Sequence, residues 1–105
     1  MKNDLSIQKR RVRITVLKKI FNSEFLEKYA ADPNSWTECK HFNIGDEYVT
    51  DAERPWEMPA GFCSWAWSDI QKIVYGMARG GQDAFVTCCT DGYRPVVFGL
   101  EKIRE

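Results

Sequence analysis

The stretch CSWAWSDIQKIVYGMARG, residues 63–80, decides the fold. Its apolar residues recur at spacings of four and three, which places them along one face of an α-helix. Gly80-Gly81 follows directly after Arg79 and is a typical helix stop signal. The pattern predicts an amphipathic helix that begins near Ser64 and buries this stripe: Cys63, Trp67, Ile70, Val74 and Met77.

Toward the N-terminus, apolar and polar residues alternate. Val12, Ile14 and Val16 share one face, and this period of two predicts a half-buried strand over residues 11–17. A shorter helix is expected from Asn22 or Ser23 to about residue 31, because Asp32-Pro33 must end it.

The remaining strands follow from turn residues. Gly45-Asp46 predicts a turn that leads into a short strand ending at Val49. The apolar runs 84–89 and 95–103 predict two more strands, and Asp91-Gly92 between them is expected to supply the positive φ of a hairpin. The order β-α-β-α-β-β indicates an α+β fold. We expect an antiparallel or mixed sheet of about four strands covered by two helices.

Length and composition favour one domain with an apolar core. The 105 residues are 44% apolar and 13% aromatic, so we predict a single domain over residues 11–105 and a flexible arm over residues 1–10. Fifteen basic residues balance fifteen acidic residues, which excludes a general polyanion-binding chain. The basic N-terminal face lacks interleaved aromatic residues, which disfavours nucleic acid.

The chain has neither an apolar run long enough for a membrane span nor the apolar segment of a signal peptide. We therefore expect a cytoplasmic protein that makes no membrane contact. Its cysteines are then reduced thiols that fill the core, bind a metal or react.

Five residues offer ligands for a transition metal: Cys39, His41, Cys63, Cys88 and Cys89. Zinc and iron both accept sets of thiolate and imidazole, and iron–sulfur clusters accept thiolates. The spacing includes no Cys-x-x-Cys knuckle. Because neighbouring strand residues point to opposite faces, only one of Cys88 and Cys89 can reach a shared ion.

Cys63 is also the candidate catalytic residue. At the start of the predicted helix its thiol lies near the positive end of the helix dipole, which favours thiolate. His41 is the only histidine, so a Cys–His couple would have to use it.

Four residues are candidates for substrate binding: Trp65, Trp67, Asp91 and Arg94. Trp65 and Trp67 lie about 160° apart around a helix, so they cannot both face one core. One of them is expected to line a cleft or a subunit contact. Arg94 has the geometry to clamp a carboxylate or phosphate, although the residues alone favour a solvated strand end for Arg94 and a plain Asp-Gly turn at Asp91.

Two longer motifs carry a resemblance to a family. Residues 61–67, GFCSWAW, and residues 88–98, CCTDGYRPVVF, resemble a group of small bacterial and archaeal proteins of similar length. The resemblance implies that the four cysteines, Trp65, Trp67, Asp91 and Arg94 belong to a shared pattern. It also implies a helix-cap position for Cys63, because proline follows this Cys in those proteins where the present chain has Ser64.

The leading hypothesis is a cysteine-rich protein that binds zinc, iron or an iron–sulfur cluster. The first alternative is a thiol-dependent enzyme or redox protein that uses Cys63 on a small acidic substrate. The second alternative is a non-catalytic interaction module or homodimer that uses an exposed tryptophan.

Overall fold

The computed structural model describes residues 8–104. The chain forms β1 (Val12–Lys19), α1 (Ser23–Tyr29), β2 (Glu47–Val49), α2 (Ser64–Ala78), β3 (Ala84–Cys88) and β4 (Val96–Lys102). The strands form one antiparallel sheet in the order β2-β1-β4-β3. The predicted α+β class and the β-α-β-α-β-β order are confirmed.

The core lies between one face of the sheet and α2. Alternation along β1 and β4 turns their apolar residues inward, and the α2 stripe packs on them. Burial of this apolar surface is the main stabilising contribution to the fold. The predicted α2 stripe is confirmed: Trp67, Ile70, Val74 and Met77 are buried, and Cys63 is half-buried at the helix start.

The opposite face of the sheet is not covered by any described element, which differs from the prediction of two covering helices. Of the two helices, only α2 contacts the strands. The short α1 buries Leu26 but leaves Phe25 and Tyr29 exposed. It is held instead beside the β3–β4 connection, where the Asn22 amide donates a hydrogen bond to the Gly92 carbonyl.

β3 and β4 form the predicted antiparallel hairpin, but the positive φ predicted for its connection is wrong. Among residues 8–104, the glycines with positive φ are Gly45, Gly61 and Gly80, so Gly92 does not supply it. The Asp91 carboxylate accepts hydrogen bonds from the backbone N–H groups of Tyr93 and Arg94. This side-chain turn shapes the connection at residues 89–95 without a positive φ.

The predicted arm at residues 1–10 lies mostly outside the described residues, as does residue 105. Of its last residues, Lys9 pairs with Glu53 and the Arg10 N–H donates to the Ala78 carbonyl. No helix within residues 8–104 is long and apolar enough to cross a membrane.

Thr50 provides a stability prediction at the start of β1. Its buried hydroxyl accepts a hydrogen bond from the Val12 N–H at 3.0 Å. In Thr50→Val this donor is left without a partner, so we expect the free energy of unfolding to fall by about 1–3 kcal/mol. Urea denaturation measures the loss. Thr15→Val on the uncovered face is the control, and an equal change in both variants would contradict the assignment.

Candidate functional site

Three segments converge beside the N-terminal end of α2 and enclose a cleft of about 720 Å³. They are the loop at residues 36–42, the helix start at residues 63–66 and the β3–β4 connection at residues 89–96. We call this space the cysteine cleft. It is lined by every sequence-predicted site residue except Cys88 and Trp67: Cys39, His41, Cys63, Trp65, Cys89, Asp91 and Arg94.

The cysteines divide as strand geometry requires. Cys89 is buried and faces the cleft, where its Sγ accepts a hydrogen bond from the Val96 N–H at 3.4 Å. Cys88 is exposed and, one residue away in the strand, lies on the other face of the sheet. Cys39 and Cys63 are half-buried cleft residues. All four are free thiols, and three of them border one space.

Cys63 occupies the N-cap position of α2, as expected. Its backbone is extended (φ −96°, ψ 126°), and its carbonyl accepts the first helical hydrogen bond from the Trp67 N–H at 2.8 Å. The Cys63 side chain makes no capping hydrogen bond. The first-turn N–H groups of a helix have no intrahelical partners, so this end of α2 favours negative charge at the cleft.

His41 fixes the loop that precedes Cys63. Its Nε2 lies 3.0 Å from the Gly61 carbonyl oxygen. A carbonyl can only accept, so Nε2 carries the proton and Nδ1 is the acceptor in the neutral ring. Phe42 packs edge-on against the imidazole, and Phe62 and Tyr48 continue this aromatic layer. Burial, with a smaller effect from the Asp46 charge, raises the pKa of Tyr48.

Arg94 is held at the opposite wall by two contacts. Its Nε donates to the Asp91 carboxylate at 3.1 Å, and its guanidinium lies 5.0 Å from the centre of the Trp36 ring. Tyr93 packs edge-on against the same indole. Within residues 8–104, no side chain or carbonyl occupies the two terminal nitrogens of Arg94. Those nitrogens can therefore bind an anionic group that enters the cleft.

Trp65 is the fixed but exposed aromatic residue of the cleft. Its side chain is 62% exposed, yet its Nε1 donates to the Thr90 hydroxyl at 3.1 Å. Thr90 is anchored in turn, because its hydroxyl and N–H both donate to Asp69. Trp67, by contrast, is 7% exposed in the core and donates to the Trp56 carbonyl. The expected division between the two tryptophans is confirmed.

Several cleft residues were not anticipated from the sequence: Trp36, Lys40, Thr90 and Tyr93. Trp36 and Lys40 lie in a loop without periodicity, so only the fold brings them to Arg94. Thr90 belongs to the quoted CCTDGYR motif, and its polar side chain beside the cysteines is the signal that could have identified it.

The predicted metal ligands do not form a cluster within residues 8–104. No group of three or more His, Cys, Asp or Glu side chains there lies close enough to hold a metal ion. The predicted ligands Cys39, His41, Cys63 and Cys89 border the cleft separately. The metal interpretation stays a prediction.

Together these features define an α+β protein with a cleft that combines thiols, aromatic rings and cationic side chains. Comparison of the chain with protein-family models, curated proteins and solved structures finds no significant match. The family resemblance of the two motifs therefore stays a prediction.

Two Asp91 variants test how much its ion pair with Arg94 and its side-chain turn contribute to stability. Asp91→Ala removes both the ion pair and the side-chain turn, so we expect the free energy of unfolding to fall by about 1–2 kcal/mol. Asp91→Asn retains an acceptor oxygen for the turn and should lose less than half as much. Urea denaturation of both variants checks this order, and an equal loss would show that the turn hydrogen bonds contribute nothing.

Proposed function

We propose that the protein binds a small anionic molecule in the cysteine cleft and acts on it through the Cys63 thiol. The observation that carries this proposal is the placement of Cys63 and Arg94 in one cleft, where no group of the described residues 8–104 binds the terminal nitrogens of Arg94. The class is a thiol-dependent enzyme or redox protein, with Cys63 as the reacting group and Arg94 as the anion-binding group.

The charge distribution of the cleft supports an anionic ligand. Lys40 lines the cleft and forms no ion pair within residues 8–104. Asp91 is the acidic residue of the lining, and Arg94 already neutralises it. Lys40 and the N-terminal end of α2 therefore make the lining of the cleft net positive. A carboxylate or phosphate is the group that such a cleft favours.

The aromatic residues support a ligand with an apolar part. Trp65 is held by its only polar atom, so its ring is fixed without being buried. A fixed, exposed indole offers a contact surface at low entropic cost. The indole of Trp36 is also in the lining, beneath Arg94.

Nuclear magnetic resonance titration tests the binding step. The probes are succinate and benzoate, with succinamide and benzamide as uncharged controls. We expect the carboxylates to shift the Trp65 indole N–H and the Arg94 Nε–H signals, and the amides to shift them far less. Trp56, which packs on Tyr75 outside the cleft, is the reference indole. Equal shifts at Trp56 and Trp65, or none at millimolar probe, would contradict the proposal.

A metal or iron–sulfur centre is the second candidate function. It is favoured by one observation: three thiols and the only imidazole border the same cleft. Side-chain rotation would be needed to bring Cys39, Cys63, Cys89 and His41 together. Elemental analysis and an absorption spectrum of anaerobically purified protein test this. Near-stoichiometric metal that is lost in Cys63→Ser but kept in Cys88→Ser would support it, and metal-free wild-type protein would contradict it.

Three sequence-based expectations also stay proposals. They are a cytoplasmic location, the absence of nucleic acid among the partners, and a non-catalytic contact or homodimer through an exposed tryptophan. Trp65 is the exposed tryptophan in the cleft, so the same titration with a carboxylate probe would show whether its surface serves a ligand.

A further inference from the structure

We infer that β3 is a dimerisation strand, which pairs antiparallel with β3 of a second copy of this chain about a two-fold axis at Val86. Within residues 8–104, β3 is an edge strand that is hydrogen-bonded only to β4. The inference concerns the sheet edge and does not depend on the proposed function of the cleft.

The backbone register shows which groups face the open edge. The Lys102 N–H donates to the Asp83 carbonyl at 2.8 Å, and the Cys89 N–H donates to the Val96 carbonyl at 3.1 Å. Because backbone direction alternates along a strand, the odd-numbered residues between them also face β4. The N–H and C=O groups of Ala84, Val86 and Cys88 therefore point outward, and within residues 8–104 no strand pairs with them.

β3 lacks the features that usually prevent a further strand from pairing with the edge of a sheet. Edge strands are commonly protected by lysine, proline, a bulge or extreme shortness. Residues Ala84–Cys88, AFVTC, carry no charge and no proline, and their register with β4 is continuous. The other edge strand, β2, has only three residues and begins with Glu47. The two edges of the sheet are thus unequal, and β3 is the one open to pairing.

A second copy fits this edge without repulsion. An antiparallel pair centred on Val86 places Val86 opposite Val86 of the second copy and Ala84 opposite its Cys88. The outward N–H and C=O groups of these residues then match each other, because hydrogen-bonded pairs in antiparallel strands lie directly opposite. No like charges meet along the strand. Such a two-fold contact is closed, so it satisfies the edge without propagating into a filament.

Burial supports pairing on both faces of the strand. Val86 is 61% exposed on the uncovered face of the sheet, and Phe85 is 38% exposed on the α2 side. Both side chains would lose solvent exposure against the second copy, where Phe85 comes opposite Thr87. Cross-strand contacts of this kind stabilise antiparallel pairs.

Sedimentation equilibrium of the full chain tests the inference. Val86→Pro removes an outward N–H that pairs with no strand among residues 8–104, and Val86→Lys adds a charge at the axis. We expect wild-type dimer and an increase in its Kd of at least about tenfold in both variants. Val49→Lys, on the same face but at the β2 edge, should leave the Kd unchanged. Circular dichroism of the monomeric variants confirms that they are folded.

A cross-link tests the register itself. Ala84→Cys places a second thiol opposite Cys88 of the other copy, at a Cα separation of about 5.5 Å that suits a disulfide. With diamide as oxidant, we expect a covalent dimer from Ala84→Cys and none from Ala84→Cys/Cys88→Ser. A monomer at all concentrations would overturn the inference. A dimer that both Val86 variants leave intact would overturn it equally, because another surface would then be responsible.

Discussion

Replacement of Phe98 by alanine is expected to lower the free energy of unfolding by about 3–5 kcal/mol. Phe98 is a fully buried residue of β4. The centre of its ring lies 5.3 Å from the ring centres of both Phe42 and Phe62. Truncation would remove the centre of this aromatic layer and leave a cavity that rigid neighbours cannot fill. Urea denaturation at 25 °C measures the loss.

Two further variants control this result. Phe25→Ala truncates a half-exposed phenylalanine of α1 and should change the free energy of unfolding by less than about 0.5 kcal/mol. Phe98→Leu retains most of the volume and keeps the comparison measurable if Phe98→Ala does not fold. Equal losses in Phe98→Ala and Phe25→Ala would contradict the described core.

Replacement of Arg94 by glutamine is expected to weaken the preference of the cleft for anions by about five- to tenfold. Iodoacetate and iodoacetamide alkylate the same thiol but differ in charge. Cys88 lies outside the cleft and provides the internal reference. We expect the iodoacetate-to-iodoacetamide rate ratio at Cys63, normalised to that at Cys88, to fall about five- to tenfold in Arg94→Gln. This corresponds to about 1–1.4 kcal/mol, the size of a charge contact in a partly exposed site.

The control for Arg94 is a second surface arginine. Arg104 pairs with Asp83 away from the cleft, so Arg104→Gln removes the same net charge at a distance. Its normalised rate ratio should equal that of the wild type. A ratio that falls equally in both variants would mean that net charge alone, and not Arg94 at the cleft wall, controls access to Cys63.

The helix and strand that show a clear hydrophobic periodicity could be predicted from the sequence. The spacing from Cys63 to Met77 identified α2, and alternation around Ile14 identified β1. Gly45 and Gly80 have the positive φ that a turn and a helix stop require. These features are local, so neighbouring residues suffice to determine them.

Features that depend on tertiary contacts could not be predicted. The antiparallel hairpin of β3 and β4 is confirmed, but the positive φ predicted at Gly92 was wrong, because the Asp91 carboxylate shapes the connection instead. The placement of α1 was also wrong, because Asn22 holds this short helix beside that connection instead of on the sheet.

The residues of the candidate site could be predicted from the sequence only in part, for the same reason. The alternation of strand side chains separated Cys88 from Cys89, and the helical angle separated Trp65 from Trp67. Trp36 and Lys40, however, reach the cleft through an irregular loop, and nothing in their spacing indicates that Trp36 supports Arg94.

The alkylation rate of each cysteine in the native wild-type protein shows whether Cys63 is the reacting group. Iodoacetamide at neutral pH, followed by mass spectrometry of peptides, gives the four rate constants. We expect half-buried Cys63 to react at least about tenfold faster than exposed Cys88, because the first-turn N–H groups of α2 stabilise negative charge on the reacting sulfur. A Cys63 rate equal to or below that of Cys88 would show that Cys63 is only a structural residue at the N-cap position and not the reacting group of the cleft.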